Sequence, residues 1–327
     1  MFNPILIRDI KIEKPVFAAP LAGITDKPYR EILRTLAPDV PILTEMISCH
    51  SITHRHKNDK STGNRRNWDE YREEGLVGAQ IFGTEPSIMA EAAKILEQNG
   101  ASWIDINMGC PVPKVAQKAG AGAGLMRTPK LAGEIVDAVV RAVKIPVTMK
   151  TRLGWDAHSL NGAEIVNICA DNGACLATIH GRTRAQGYAG NANWDEIKNL
   201  KSKLNNKNLP VIFNGDIRTE ADMNAVRDLG ADGVMLARVL LGNPWILAKL
   251  SGNQSSIINH QSSIILEHLH KTLEYYGARA GVPLFRKHAA WYATGMAGNA
   301  EFRTRVNQIT DPVELESVIK DFFLRFD

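Results

Sequence analysis

The sequence predicts an α/β chain, a (β/α)8 TIM barrel over residues 1–247 followed by an all-helical domain over 248–327. Three observations predict it. Short β-rich runs recur at 16–19, 42–45, 77–81, 103–107, 147–150, 176–180, 211–214 and 234–237 with helical patterns between them, the rhythm of a closed parallel barrel. Three of these runs follow the same lead-in, Asn99-Gly100-Ala101, Asn172-Gly173-Ala174 and Gly230-Ala231-Asp232, where a helix ends at a glycine and the chain re-enters the sheet. Past Asn243-Pro244-Trp245 the alternation stops: residues 251–263, rich in Ser, Asn and Gln, read as a linker, and Leu266, Leu269, Leu273 and Tyr276 then recur at helical steps.

A doubly wound sheet is the main competitor. It needs a glycine-rich nucleotide turn after the first strand, and Pro20-Leu21-Ala22-Gly23 lacks that spacing. With 327 residues, 44% of them apolar, the chain can bury a large core beside a smaller appendage. Arg8, Asp9 and Lys11 interrupt any N-terminal apolar run, and no later stretch reaches the ~20 apolar residues of a membrane helix. A cytoplasmic protein without a membrane partner is expected. The four cysteines, Cys49, Cys110, Cys169 and Cys175, lack paired ligand spacing, so neither a disulfide framework nor a metal site is expected. A net charge of +4 permits a polyanionic partner.

Barrel active sites lie at the C-terminal ends of the strands. Those ends carry Pro20, Glu45, Gln80, Asn107, Lys150, His180, Asn214-Gly215-Asp216 and Ala237-Arg238. The set brings donors, a cation and an imidazole to one mouth, as an electron-rich planar cofactor with a phosphate tail requires. Gln80 can pair with a ring amide edge, and Lys150 can place positive charge near the N1/O2 region of a flavin. His180 suits the same edge or the substrate. Asn214-Gly215-Asp216 and Arg238 fall after the seventh and eighth strands, where barrels commonly hold phosphate.

Cys110 follows the fourth strand between Gly109 and Pro111, a setting that turns the chain sharply and presents the thiol. With an ordinary pKa of about 8.5 it is protonated at neutral pH and can serve as a general acid. Cys49, Cys169 and Cys175 read as small buried apolar residues. Basic residues gather in three places: His54, Arg55, His56, Lys57, Lys60, Arg65 and Arg66 after the second strand; Lys114, Lys118, Arg182 and Arg184 near the mouth; and Arg279, Arg286, Lys287, His288, Arg303 and Arg305 around Trp291 and Tyr292. Charge with aromatic surface suits RNA.

Five segments resemble the tRNA-dihydrouridine synthases, specifically their bacterial B-type branch. They are Ala18-Ala19-Pro20-Leu21-Ala22-Gly23-Ile24-Thr25-Asp26, Asp105-Ile106-Asn107-Met108-Gly109-Cys110-Pro111, Thr178-Ile179-His180-Gly181-Arg182-Thr183-Arg184, Asn214-Gly215-Asp216-Ile217 and Arg286-Lys287-His288. The resemblance implies an FMN enzyme reduced by NADPH, hydride transfer from flavin N5 to uridine C6 in tRNA, and a proton from Cys110 to C5. FMN contacts would fall on Pro20, Leu21, Ala22, Gln80, Lys150, His180, Asn214, Gly215, Asp216, Ala237 and Arg238, and RNA contacts on Asn107, Lys114, Arg182, Arg184, Arg286, Lys287 and His288. The resembling proteins usually carry Gly-Arg-Gly or Gly-Arg-Ala where this chain has Ala237-Arg238-Val239, whose extra methyl disfavours positive φ at 237. Ribosomal RNA as substrate, a free-pyrimidine enzyme resembling dihydroorotate dehydrogenase, and a barrel that binds RNA without turnover remain alternatives.

Overall fold

A computed structural model describes residues 2–58, 75–253 and 261–327, apart from the side chains of residues 55–58. Of the first basic group, Lys60, Arg65, Arg66 and the side chains of Arg55, His56 and Lys57 lie outside the described residues. The chain opens with an antiparallel hairpin absent from the predicted runs, β1 (Ile5–Ile7) and β2 (Ile10–Ile12), turned at Arg8 with φ 57°.

The parallel sheet comprises β3 (Val16–Ala18), β4 (Ile42–Leu43), β5 (Ile47–Ser48), β6 (Val77–Phe82), β7 (Trp103–Asn107), β8 (Val147–Arg152), β9 (Ala177–His180), β10 (Val211–Asn214) and β11 (Gly233–Leu236). Neighbours run β4-β3-β11-β10-β9-β8-β7-β6, and β4 pairs back onto β6, so the barrel closes as predicted. The second barrel strand is the exception to the predicted runs: it is split into β4 and β5, both parallel to β6. Between them the Thr44 hydroxyl accepts from Gln80 N at 3.0 Å, taking the place of a ladder carbonyl. Gly78 and Trp103 are register partners, and a Cβ on Gly78 would lie 2.2 Å from the indole, so this wall holds its largest side chain only beside a glycine.

The shared glycine lead-ins behave as their residues dictate. Helices α3 (Pro86–Gln98), α5 (Gly162–Asp171) and α7 (Glu220–Asp228) are followed by Gly100, Gly173 and Gly230 with φ of 90°, 100° and 94°. The next residue then donates five positions back, as in Ala101 N to Leu96 O, Ala174 N to Cys169 O and Ala231 N to Val226 O. Thr219 and Asp222 form a reciprocal capping box at the start of α7. Helices α2 (Cys49–Asn58), α4 (Pro129–Ala142) and α6 (Trp194–Ser202) complete those around the strands.

Compactness divides the chain into residues 1–23 with 39–236, and 24–38 with 237–327. The break falls at 236/237 rather than 247/248, and α1 (Lys27–Leu36), the helix after the first barrel strand, belongs to the second unit. That unit also holds α8 (Trp245–Leu250), α9 (Gln261–Tyr276), α10 (Ala278–Tyr292), α11 (Asn299–Gln308) and α12 (Pro312–Phe323). Its core includes Leu269, Val282, Phe285, Ile319 and Phe323, and Ile32 and Leu36 of α1 pack with Ala248 and Ile264.

His268 and His288 are both buried in this unit, with ring centroids 4.6 Å apart and Tyr29, Phe285 and Tyr292 around them. Burial, with the charge of Lys287, lowers His288 to about 3 and His268 well below its usual value. The native chain therefore binds these protons only at lower pH than the unfolded chain does, so stability present above pH ~6.5 is lost as pH falls. At pH 5 His288 alone is expected to cost about 2 kcal/mol, at about 1.4 kcal/mol per pH unit below its unfolded value, and His268 adds in the same direction. Thermal melts at pH 7.5 and 5 check this, because His288→Phe should reduce the acid loss of stability. An identical acid loss in that variant contradicts it.

Candidate active site

The loop after β7 carries Cys110, and its backbone is anchored from inside the barrel. Asn107 Oδ1 accepts from Gly109 N at 3.1 Å and from Cys110 N at 2.9 Å. Arg152 Nε donates to Gly109 O at 2.7 Å, and Ala123 N to Cys110 O at 3.1 Å. The chain beyond forms a π-turn at Lys114–Lys118 and a 3-10 turn at Gly122–Arg127. Gly122, at φ 56°, lies under the cysteine: a Cβ there would be 3.0 Å from Cys110 Cβ. Cys110 is half-buried, and burial pushes its thiol up, against the Val112 N–H and the charge of Arg152. It is therefore a protonated thiol at neutral pH.

Ladder register explains the polar cluster behind the loop. Gln80 pairs with Asp105 and Asp105 with Thr148, so the three stand abreast on β6, β7 and β8. Gln80 Nε2 donates to Asp105 Oδ2 at 2.7 Å, Thr148 Oγ1 donates to Asp105 Oδ1 at 2.6 Å, and Asn107 Nδ2 donates to Gln80 Oε1 at 2.7 Å. Burial raises the Asp105 carboxyl, opposed by the Gln80 and Thr148 hydrogen bonds and by Lys150. Lys150, two residues beyond Thr148 on the same face, donates to Asn214 Oδ1 at 2.8 Å. Burial and the charge of Arg152 bring it down to about 7, while Asp105 opposes them.

His180 ends β9, and a tight turn follows β10. Gly215 has φ 110° and Asp216 φ 56°, a left-handed pair that aspartate tolerates better than most residues. Asp216 is held there because its carboxylate accepts from Arg182 Nη2 at 2.6 Å and Ala192 N at 2.8 Å. A Cβ on Gly215 would lie 2.7 Å from the His180 ring, so the turn passes directly over the imidazole. Arg182 Nη1 approaches His180 Nε2 at 3.4 Å, and since a guanidinium only donates, that nitrogen accepts.

The structure relocates several expected contacts. Arg182, expected at an RNA surface, is 2% exposed and donates to Asp216, Ala189 O and Gly190 O, so it fastens its own loop. His288 is buried among aromatic rings and Asn107 bonds Gln80 inside the barrel, so neither side chain is exposed. Arg286 donates through Nε and Nη2 to Ile309 O beyond the end of α11. Lys114 and Lys118 are exposed, while Lys287 is partly buried. Arg184 stacks on Trp155 at 4.6 Å, with Arg127 over the same indole at 5.1 Å.

Pro20 and Leu21 are partly buried and Ala22 exposed at the end of the first barrel strand. Ala237 and Arg238 belong to the second unit, where Ala237 has φ −126°, so its methyl meets no left-handed backbone. Cys49 and Cys169 are fully buried and raised to about 12, whereas Cys175 is only half-buried and donates to Val147 O. A cleft of about 670 Å³ lined by Leu153, Asp156, His158, Thr183 and Glu196 contains none of the expected cofactor residues.

Sequence reasoning missed Asp105 and Arg152. Arg152 is 3% exposed, and besides Gly109 O it donates through Nη1 to Thr183 O at 3.1 Å and Gly187 O at 2.9 Å. The signal was period-two polarity inside strands, Asp105-x-Asn107 and Thr148-x-Lys150-x-Arg152.

Fold and site together define a parallel-barrel enzyme with a half-buried, protonated thiol just beyond its fourth barrel strand. Residues 17–326 match the dihydrouridine synthase family model. A probable tRNA-dihydrouridine synthase of Rickettsia prowazekii is 37% identical over 98% of both chains. The tRNA-dihydrouridine synthase B of Pasteurella multocida is 37% identical over 97% of this chain and 95% of its own. A crystal structure of mandelate oxidase matches with a TM-score of 0.51 at 17% identity, covering 84% of this chain and 78% of that one, a likeness of fold alone. The chain belongs to the dihydrouridine synthase family, with relatives in its B-type branch.

Proposed function

We propose that this chain reduces specific uridines of tRNA to 5,6-dihydrouridine in the cytoplasm, with FMN as cofactor, NADPH as reductant and Cys110 as the acid. Membership of the family supports the reaction, and the relatives' names support tRNA as the substrate. The observation that carries the reading is a protonated thiol on a loop anchored at Asn107, Arg152 and Ala123, at the mouth end of a barrel whose β8 carries Lys150 and whose β9 ends in His180.

The residues present fit a flavin. Among the described residues, the Lys150 ammonium has Asn214 Oδ1 as its only hydrogen-bond partner, which leaves two of its three donors for a ring that gains negative charge. Lys150, His180, Asn214 and Gly215 would hold it, together with Pro20, Leu21 and Ala22. Gln80 contributes through its remaining N–H, since its other groups are bonded inside the barrel. Asp216 contributes through its backbone, since its carboxylate is paired with Arg182. When bound, FMN would supply the hydride that C6 of the uracil ring takes up. Cys110 then delivers its proton to C5, while Arg152 keeps the loop backbone in place.

Lys114, Arg184, Arg286 and Lys287 are the RNA contacts this reading keeps. A base inside folded RNA must be turned out to reach the thiol, and surface cations grip the remaining phosphates. Lys114→Ala and Lys287→Ala should each weaken tRNA binding and reduce the slope of log K against log salt by about 1 while flavin stays bound. NADPH consumption should require tRNA. Consumption driven equally by free uracil would instead make this a small-pyrimidine enzyme.

A further inference from the structure

We propose that Asp105 is a positioning residue for Cys110, acting through a one-way series of side-chain amides. Its carboxylate fixes which end of Gln80 faces which neighbour, Gln80 does the same for Asn107, and Asn107 holds the backbone of the thiol loop. This deepens the role proposed above for Cys110. Its test reads the thiol itself, so it stands or fails apart from the identity of the substrate.

Every donor in the series points toward Asp105. Gly109 N and Cys110 N donate to Asn107 Oδ1, Asn107 Nδ2 to Gln80 Oε1, and Gln80 Nε2 to Asp105 Oδ2. Both Asp105 oxygens accept, Oδ2 from Gln80 and Oδ1 from the Thr148 hydroxyl. Turning either amide over would set oxygen against oxygen at one end and N–H against N–H at the other, so Asp105 at one end and the two backbone N–H groups at the other admit a single orientation of the series. All three side chains are buried, where such bonds strengthen one another and an unmade one is costly. Nor is Asp105 simply the counter-ion of Lys150, whose ammonium bonds Asn214 instead.

The series matters to the sulfur. The N–H groups of Gly109 and Cys110 are aimed at Asn107 and are not available to stabilise a thiolate, as backbone donors do at reactive cysteines. Gly122 packs beneath the loop, where a Cβ would stand 3.0 Å from Cys110 Cβ. Loss of the orientation therefore loosens the loop, exposes the sulfur and relieves the burial that keeps the thiol protonated.

Iodoacetamide labelling of the full-length protein, followed by mass spectrometry of the Cys110 peptide across pH, tests this. Asp105→Asn offers Gln80 either end of an amide, and labelling at pH 7.5 is expected to quicken about tenfold, with its midpoint about one pH unit lower. Thr148→Val leaves Oδ2 untouched and should keep the wild-type rate. Combining Asp105→Asn with Gln80→Glu moves the carboxylate one link along, so position 80 again accepts from Asn107 and the wild-type rate should return. Should Asp105→Asn fail to fold, the double variant decides: wild-type labelling supports the series, and an unfolded or fast-labelling protein overturns it. A wild-type rate in Asp105→Asn, or an equal change in Thr148→Val, overturns it as well.

Discussion

Cys110→Ala is expected to bind flavin and accept electrons from NADPH at near wild-type rates, yet to form dihydrouridine at least about a hundredfold more slowly, the lower range for loss of a positioned general acid. The expectation rests on location. The cysteine backbone is fixed by Asn107 and Ala123, so removing sulfur deletes a proton without moving the loop. Stopped-flow reduction by NADPH followed by single-turnover oxidation with tRNA separates the two half-reactions. Slowing of the first as much as the second would give Cys110 a role in holding the cofactor, and full product formation would remove it as the acid.

The largest loss of stability should come from Asp216→Ala. It strips the carboxylate from Arg182, which is 2% exposed. Breaking a buried ion pair from one side costs about 3–5 kcal/mol, because a charge is left buried without its partner. The turn suffers too, since Ala192 N loses its acceptor and alanine is less at ease than aspartate at φ 56°. Urea denaturation should show the lower midpoint, and adding Arg182→Met should recover much of the loss by removing the stranded charge. A loss below about 1 kcal/mol in Asp216→Ala would mean the pair behaves as an exposed one.

The barrel strands were legible because a parallel strand buried on both faces must be apolar, and the glycine lead-ins mark where each helix stops. The break in the second strand was not legible. It depends on Thr44 presenting its hydroxyl to Gln80 N on the next strand, a contact set by register rather than by residue type. Cys110 could be read because its Gly-Cys-Pro setting is local. Arg182 and His288 were misplaced for the opposite reason: a basic residue within a motif looks the same whether it faces solvent or an ion-paired interior. Asp105 and Arg152 were readable in principle from alternation along β7 and β8, but their partners lie on neighbouring strands and in other loops.

Direct detection of product tests the central claim most closely. Purified protein supplied with FMN and NADPH would be incubated with unmodified tRNA, with ribosomal RNA and with free uracil, and each would be digested and examined for 5,6-dihydrouridine or dihydrouracil by mass spectrometry. The proposed function gives dihydrouridine at defined positions of tRNA alone. Product from ribosomal RNA or free uracil with none from tRNA, or no product from any of the three while NADPH still reduces the bound flavin, would contradict it.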